Sequence, residues 1–274
     1  REGRRLIGHH TVIEQELLPQ GPGASIAALP LDGSGALQSI AVGNYANDHH
    51  YPGPDWPLAP KSCRWGGRWS GTPFCLPYGA LVSAEVENLL AADKATSVSH
   101  MANGATRLQP LILNTGQAAG AAAALCIQRG LMPAELSVRQ LQEALILDPQ
   151  APSGVAPLWD TPWHHPAWSD RQLAVVNDPS LLSSGGCLKG PDAELDPHQA
   201  PPEPGERLWR GELLPDGHGG YALKLNDDSR NWPLITLEPG LHHWLTAQMA
   251  PCDVALIGCL NPWGPWLRVS RLAE

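Results

Sequence analysis

The 274-residue chain contains no Gly-x-Gly-x-x-Gly run, no Cys-x-x-Cys pair and no excess of basic residues. Each absence removes a class of function. Without the glycine fingerprint the chain carries no self-contained cradle for a dinucleotide pyrophosphate. Gly33-Ser34-Gly35 has the first two glycines of that pattern, but no third glycine and no helical pattern follow, so it reads as a turn. The net charge is −9, with 10 Lys/Arg against 12 Asp/Glu in residues 1–150 and 8 against 15 in 151–274. Neither half offers the basic stripe that phosphate backbones require, so no nucleic-acid partner is expected. The most apolar stretch, Leu111–Ile127, is interrupted by Asn114, Thr115 and Gln117, and no membrane partner is expected either. The cysteines at 63, 75, 126, 187, 252 and 259 are scattered through apolar stretches. They read as buried free thiols of a reducing compartment, which places the protein in the cytoplasm. Cys63 and Cys75 have no charged sequence neighbour of the kind that activates a thiol and are taken as structural.

With 43% hydrophobic residues the chain has enough apolar content for one good core and a smaller second one. The chain starts at Arg1 rather than Met, in the middle of a pattern, RRLIG (Arg4–Gly8), and we expect this sequence to be part of a longer protein that has lost its N-terminal part. Leu6–Ile13 mixes β-branched and polar residues as a short strand does, and EQELL after it reads as a brief helix or turn. SIAALPL and SIAVGNY read as strands around the Asp32–Gly35 turn, followed by a Trp-, His-, Pro- and Gly-rich loop from Asp48 to Pro73. VENLLAAD is expected as a buried strand ending at Asp93. Pro110 fits the first residue of a helix running to about Arg129 and closed by Gly130. Ser137 fits the N-cap of a second helix, to about Leu147, with Val138, Leu141 and Leu145 at helical spacing.

Beyond Asp148 the composition changes, because 16 of the 28 prolines and 8 of the 11 tryptophans lie in residues 151–274. We therefore expect a domain over 1–150, a linker over 151–204 with a short helix near His165–Val176, and a small antiparallel β-barrel or sandwich over 205–274. Its expected strands are RLWRGELL, GYALKL, WPLITL, DVALIG and WLRVSRL, with a hairpin turn at PDGHGG. Trp209, Trp232, Trp244, Trp263 and Trp266 are expected to fill its core.

Chemistry-bearing residues concentrate in Ser97–Gly120, where a polar loop enters a helix of small residues. The runs NDHHYPG (Asn47–Gly53), RWGGRWSGTPF (Arg64–Phe74), LPYGALV (Leu76–Val82), ENLLAADKATSVSHMANGATRLQP (Glu87–Pro110) and GQAAGAAAAL (Gly116–Leu125) occur in this order. In these runs the chain resembles the C-terminal part of FAD-dependent oxidoreductases of the glutathione-reductase-like superfamily, over residues 1–147. The resemblance implies an α/β fold: the C-terminal portion of an FAD/NAD(P)-binding fold with part of its antiparallel substrate sheet, here followed by the small all-β domain.

It also implies FAD as cofactor in the complete protein and a small-molecule substrate, with the missing N-terminal dinucleotide-binding segment as a partner. Ala92, Asp93 and Lys94 would lie beside the ribityl and pyrophosphate region. Gly104, Ala105, Thr106, Leu108 and Gln109 would run along the pyrimidine edge of the flavin, with Gly116 in the helix behind. A helix N-terminus there suits the negative charge that develops at flavin N1/C2=O on reduction. His100, Asn103 and Arg107 are the candidate catalytic residues, as groups that orient substrate, shuttle a proton or counter the reduced flavin's charge. The alternative for them is structural: Arg107 paired with a carboxylate, His100 capping the loop.

Asp48, His49 and His50 are placed as a polar wall on the substrate side. The His doublets at 9–10, 49–50, 164–165 and 242–243 lack a third ligand at metal-binding spacing, so no metal site is expected. Trp65 and Trp69 beside Arg64 and Arg68 either line a cleft or pack their loop through cation–π contacts. The expected function is hydride transfer between a small molecule and flavin N5. The alternative is a non-catalytic scaffold derived from a flavin domain, whose Trp-rich β module binds carbohydrate or protein.

Overall fold

The computed structural model describes residues 3–19, 21, 23–45, 47–48, 62–63, 71–189, 196–198, 200, 203–226, 228–261 and 264–273. The chain divides into two compact units, Arg1–Leu158 with Ser169–Lys189, and Trp159–Trp168 with Gly190–Glu274.

The first unit mixes helices and sheet. Its main ladder pairs β1 (Ser39–Tyr45) antiparallel with β4 (Thr72–Pro77), with a bulge at Ser39/Ala41. Two-residue strands β2 (Asn47–Asp48) and β3 (Ser62–Cys63), between β1 and β4 in sequence, pair in parallel as a separate sheet. Helix α2 (Gln109–Arg129) packs its small-residue face, with Ala118, Ala119 and Ala122 buried, against β1. The amphipathic helix α3 (Val138–Ile146) buries Leu141, Leu145 and Ile146 beside it. Gly130 ends α2 in the left-handed region, as its place after Arg129 predicts. Gln109 rather than Pro110 is the first helical residue, because Leu108 is the last extended one. Among the described residues α2 is the one helix long and apolar enough, by length and composition, to cross a membrane.

Two polar side chains tie this unit together from inside. Gln142 Nε2 donates to the carbonyls of Leu37 and Ser39 at 2.8 and 2.9 Å. Gln172, in α4 (Trp168–Asn177), accepts from the Val155 and Ala156 N–H groups and donates to Ala156 O. Those three bonds carry 169–189 into the first unit. The helix begins after His165, whose Nδ1 accepts from Ala167 N.

Several strand expectations fail. VENLLAAD forms one isolated bridge, Leu90 to Val82, because its side chains from 86 to 89 are exposed and Leu89 N turns back onto Val86 O. SIAALPL likewise gives only isolated bridges at Ala27 and Leu31. Leu6–Ile13 is extended but bridges only at Gly8 and Val12. Asp32–Gly35 is a turn, with Asp32 Oδ1 accepting from Ser34 and Ala36, so the glycine pair there cradles nothing. Cys75 and Cys126 are buried, whereas Cys187, Cys252 and Cys259 are only half-buried. Burial pushes the Cys75 thiol up to about 12, which leaves it unreactive.

The second unit is a closed barrel in the order β5-β6-β7-β9-β8, with β5 (Arg207–Pro215), β6 (Tyr221–Leu225), β7 (Asn231–Ile235), β8 (Cys252–Leu260) and β9 (Leu267–Leu272). The five expected strands are present, and Gly217 and Gly219 take positive φ in the PDGHGG turn. Two features correct the all-β antiparallel expectation. β7 and β9 pair in parallel, and a helix, α5 (Pro239–Ala247), separates β7 from β8. The result is a five-stranded Greek-key barrel of the OB type. Leu213, Leu223, Leu234, Leu241, Leu245, Leu256 and Leu267 make up most of the core with Trp209 and Trp232. Trp244 packs at its edge, and Trp263 lies outside the described residues. His164 belongs to this unit, with Nε2 at 3.2 Å from the largely buried carboxylate of Glu238 before α5.

Asp228 in the β6–β7 turn holds Arg230 through both carboxylate oxygens and accepts from Trp232 Nε1. The Arg230 guanidinium, with the Arg230 and Trp232 N–H donors, lowers the Asp228 carboxyl to about 2. A carboxyl lowered on folding stabilises the fold above its unfolded value and loses that contribution as pH falls through the folded one. We expect a tryptophan fluorescence change between about pH 4 and pH 2 that is absent from Asp228→Asn.

Candidate functional site

The candidate residues of the first unit lie on a loop held by a wedge of extended chain. Residues 6–13 run between two segments. On one side His9 N donates to Val82 O and His10 N to Gly79 O, each at 3.1 Å. On the other, Leu6 N donates to Ala95 O, Val12 N to Ser97 O and Ser99 N to Val12 O, at 2.8–3.0 Å. Gly8 makes this possible, since a Cβ there would lie 2.7 Å from Ser97 Cβ and 2.8 Å from Gly79 O.

Ser99 sets the end of the wedge. Its hydroxyl accepts from Ala102 N at 3.0 Å and donates to Glu14 Oε2 at 2.9 Å. Glu14's own backbone N–H, with the Ser99 hydroxyl, draws its carboxyl below the ordinary value. From this anchor the chain makes one helical turn, α1 (Asn103–Thr106), then passes through Arg107 and the extended Leu108 into α2. Arg107 N donates to Asn103 O, so these two residues share one face of the turn.

The candidates separate by burial. Asn103, Gly104, Ala105 and Thr106 are buried, and Thr106 Oγ1 bonds back to Ala102 O. They shape the loop rather than line a surface with their side chains. His100 and Gln109 are exposed, and Arg107 and Leu108 are half-buried. His100, Asn103 and Arg107 each have interaction partners. Ala92, Asp93 and Lys94 are exposed, with Asp93 Oδ1 accepting from Ala95 N at 2.8 Å. Gly116 stands against this segment. A Cβ on it would lie 3.2 Å from Ala92 O, so the bare glycine lets 92–94 cross α2 closely. Gly116 is seven residues into the helix from Gln109, about 10 Å along the axis.

The N-terminus of α2 has no side-chain cap and no acidic residue in its first turn, and Gln109 and Pro110 there are exposed. Its unpaired N–H groups carry partial positive charge. The arrangement can receive an electronegative group at the helix end, beside the cationic Arg107. Residues 1–145 match the model of the FAD dependent oxidoreductase family. The chain belongs to that family. No curated protein and no solved structure matches it.

The family membership bears out the resemblance read from the motifs of residues 1–147. An uncapped helix terminus beside a cation suits the electronegative end of a flavin, whereas Gly116 serves the close crossing of 92–94. Sequence reasoning missed the positioning residues Gly8, Glu14 and Ser99. A serine three residues before Ala102 is a local capping signal, but its link to Glu14 spans 85 positions and has no local trace. The side chain of Asp48 and the residues His49, His50, Arg64, Trp65, Arg68 and Trp69 lie outside the described residues. Among the described residues no three His, Cys, Asp or Glu side chains converge as a metal site. The described histidine doublets engage separate partners: His10 contacts Glu16 at 2.7 Å, His164 faces Glu238, His165 Nδ1 accepts from Ala167 N, and His242 contacts Tyr221 at 2.9 Å.

Proposed function

We propose that this chain is the flavin-facing part of an FAD-dependent oxidoreductase. Bound FAD supplies the redox chemistry, exchanging hydride at flavin N5 with a small molecule. The observation that carries the reading is the uncapped, acid-free N-terminus of α2 directly after the Arg107 turn. The N–H groups of that turn hold negative charge, and Arg107 adds a full positive charge beside them. Ala92, Asp93 and Lys94, crossing α2 at Gly116, hold the ribityl side. The buried turn Asn103–Thr106 keeps His100 and Arg107 in register, with His100, at the exposed start of the loop, as the group that moves a proton to or from substrate. The pyrophosphate cradle is assigned to a separate dinucleotide-binding segment, since the 274 residues contain no Gly-rich fingerprint.

Gln109→Glu tests the helix terminus in the FAD-loaded protein. A carboxylate in the first turn opposes negative charge on the reduced cofactor, so the reduction potential should fall. A potential equal to that of the unaltered protein would place the flavin away from α2.

A further inference from the structure

The second unit holds a cleft that the flavin reading does not use. Its volume is about 620 Å³, and it opens between the start of β5, the β6–β7 turn and the end of β8. Arg207, Arg210 and Arg230 line it with Trp209, Trp232 and Asp228. The same short pattern, Arg-x-Trp, occurs at Arg207/Trp209 and again at Arg230/Trp232. In both, the guanidinium lies over the indole two residues on, at 3.9 and 4.5 Å from the ring centroid. Stacking fixes the plane of each guanidinium; Arg207 keeps its N–H edge for an in-plane acceptor, whereas Asp228 already holds Nε and Nη2 of Arg230.

The charge balance singles out this cleft. The second unit has six basic residues, of which Lys224, Arg230, Arg268 and Arg271 pair with Glu212, Asp228, Glu203 and Glu206. Among the described residues Arg207 and Arg210 have no carboxylate partner, and both line the cleft. Asp227 lies outside the described residues. In a chain of net charge −9, two arginines that have no carboxylate partner among the described residues, lining one concavity with a third, suit an anion. Guanidinium forks match phosphate oxygens, and the volume is that of a small-molecule pocket.

We propose that this cleft binds a small oligophosphate ligand, a diphosphate or larger, through Arg207 and Arg210, with Arg230 held beside them by Asp228. The ligand is not single-stranded nucleic acid. Both indoles are 8% exposed and already covered by arginine, so neither offers a face to a base.

The test is calorimetric titration of the full chain with pyrophosphate, ADP and a dT oligonucleotide. The expected result is saturable one-site pyrophosphate binding, weakened about tenfold or more by Arg207→Ala and by Arg210→Ala. Lys224→Gln, outside the cleft, should leave it unchanged. Arg210 is exposed and outside the barrel core, so its alanine variant is expected to fold, with circular dichroism as the check. Tighter binding of ADP than of pyrophosphate supports the proposal with a nucleotide as source, and equal affinity supports it with free oligophosphate. Absence of saturable binding, unchanged affinity in both arginine variants, or tighter binding of the oligonucleotide than of pyrophosphate would overturn it.

Discussion

Arg107→Ala in the FAD-loaded protein should slow flavin reduction by about 10- to 100-fold, because one charge-assisted contact in a site shielded from water contributes roughly 1.5–3 kcal/mol. Arg107 is half-buried at the junction of α1 and α2, where the chain turns from helical to extended. Its backbone N–H bonds to Asn103 O whatever the side chain, so the turn persists in the variant. The expected loss is on the rate, beside whatever the side chain's existing contacts give the fold. Rapid-mixing kinetics of flavin bleaching measure it, with circular dichroism as the control. Arg107→Lys keeps the charge and should recover part of the rate while losing the fork geometry. Reduction at the unaltered rate in Arg107→Ala would make the residue a structural one.

Gly8→Ala should cost about 1–3 kcal/mol of stability, the range for forcing a methyl group into a filled site. The added carbon would meet Ser97 Cβ at 2.7 Å, Gly79 O at 2.8 Å and Val82 O at 3.2 Å. None of these is the free end of a flexible side chain. Ser97 is pinned by its N–H to Ala80 O and its hydroxyl to Thr11, while Gly79 O receives His10 N. The wedge must shift, and Ser99 with its bond to Glu14 shifts with it. Denaturant unfolding of the full chain measures the loss, and a midpoint equal to the parent's would show that the wedge has slack. Flavin affinity should fall in the same variant, coupling the packing of residue 8 to the loop at 99–107.

What was legible in the sequence was local. Helix α2 announced itself through Pro110, the alanine run and Gly130, and α3 through its apolar spacing after Ser137. The barrel strands were legible because apolar runs alternate with Gly- and Asp-bearing turns such as PDGHGG. VENLLAAD misled because its apolar residues resemble a strand, whereas the one bridge it makes depends on Val82. Helix α5 was missed although Pro239 follows an extended Glu238 and Leu241, Trp244 and Leu245 fall at helical spacing. The parallel closure of β7 on β9 depends on that helix and has no signal of its own. At the site, motif identity located the loop and helix but not which residues face outward. The burial of Asn103–Thr106 against the exposure of His100 and Gln109 is set by the wedge of 6–13, whose partners lie 70–90 residues away in sequence.

The most direct measurement is the flavin content of this chain when it is purified together with a Gly-x-Gly-x-x-Gly-bearing dinucleotide-binding segment, whether covalently continuous or co-expressed. The account predicts one FAD per protein, seen as a visible flavin spectrum that bleaches on reduction, and weak or no FAD on the 274 residues alone. Stoichiometric FAD on the 274 residues alone would contradict the division of the site between two segments. Absence of flavin from the combined protein would contradict the assignment of a flavin site to this chain.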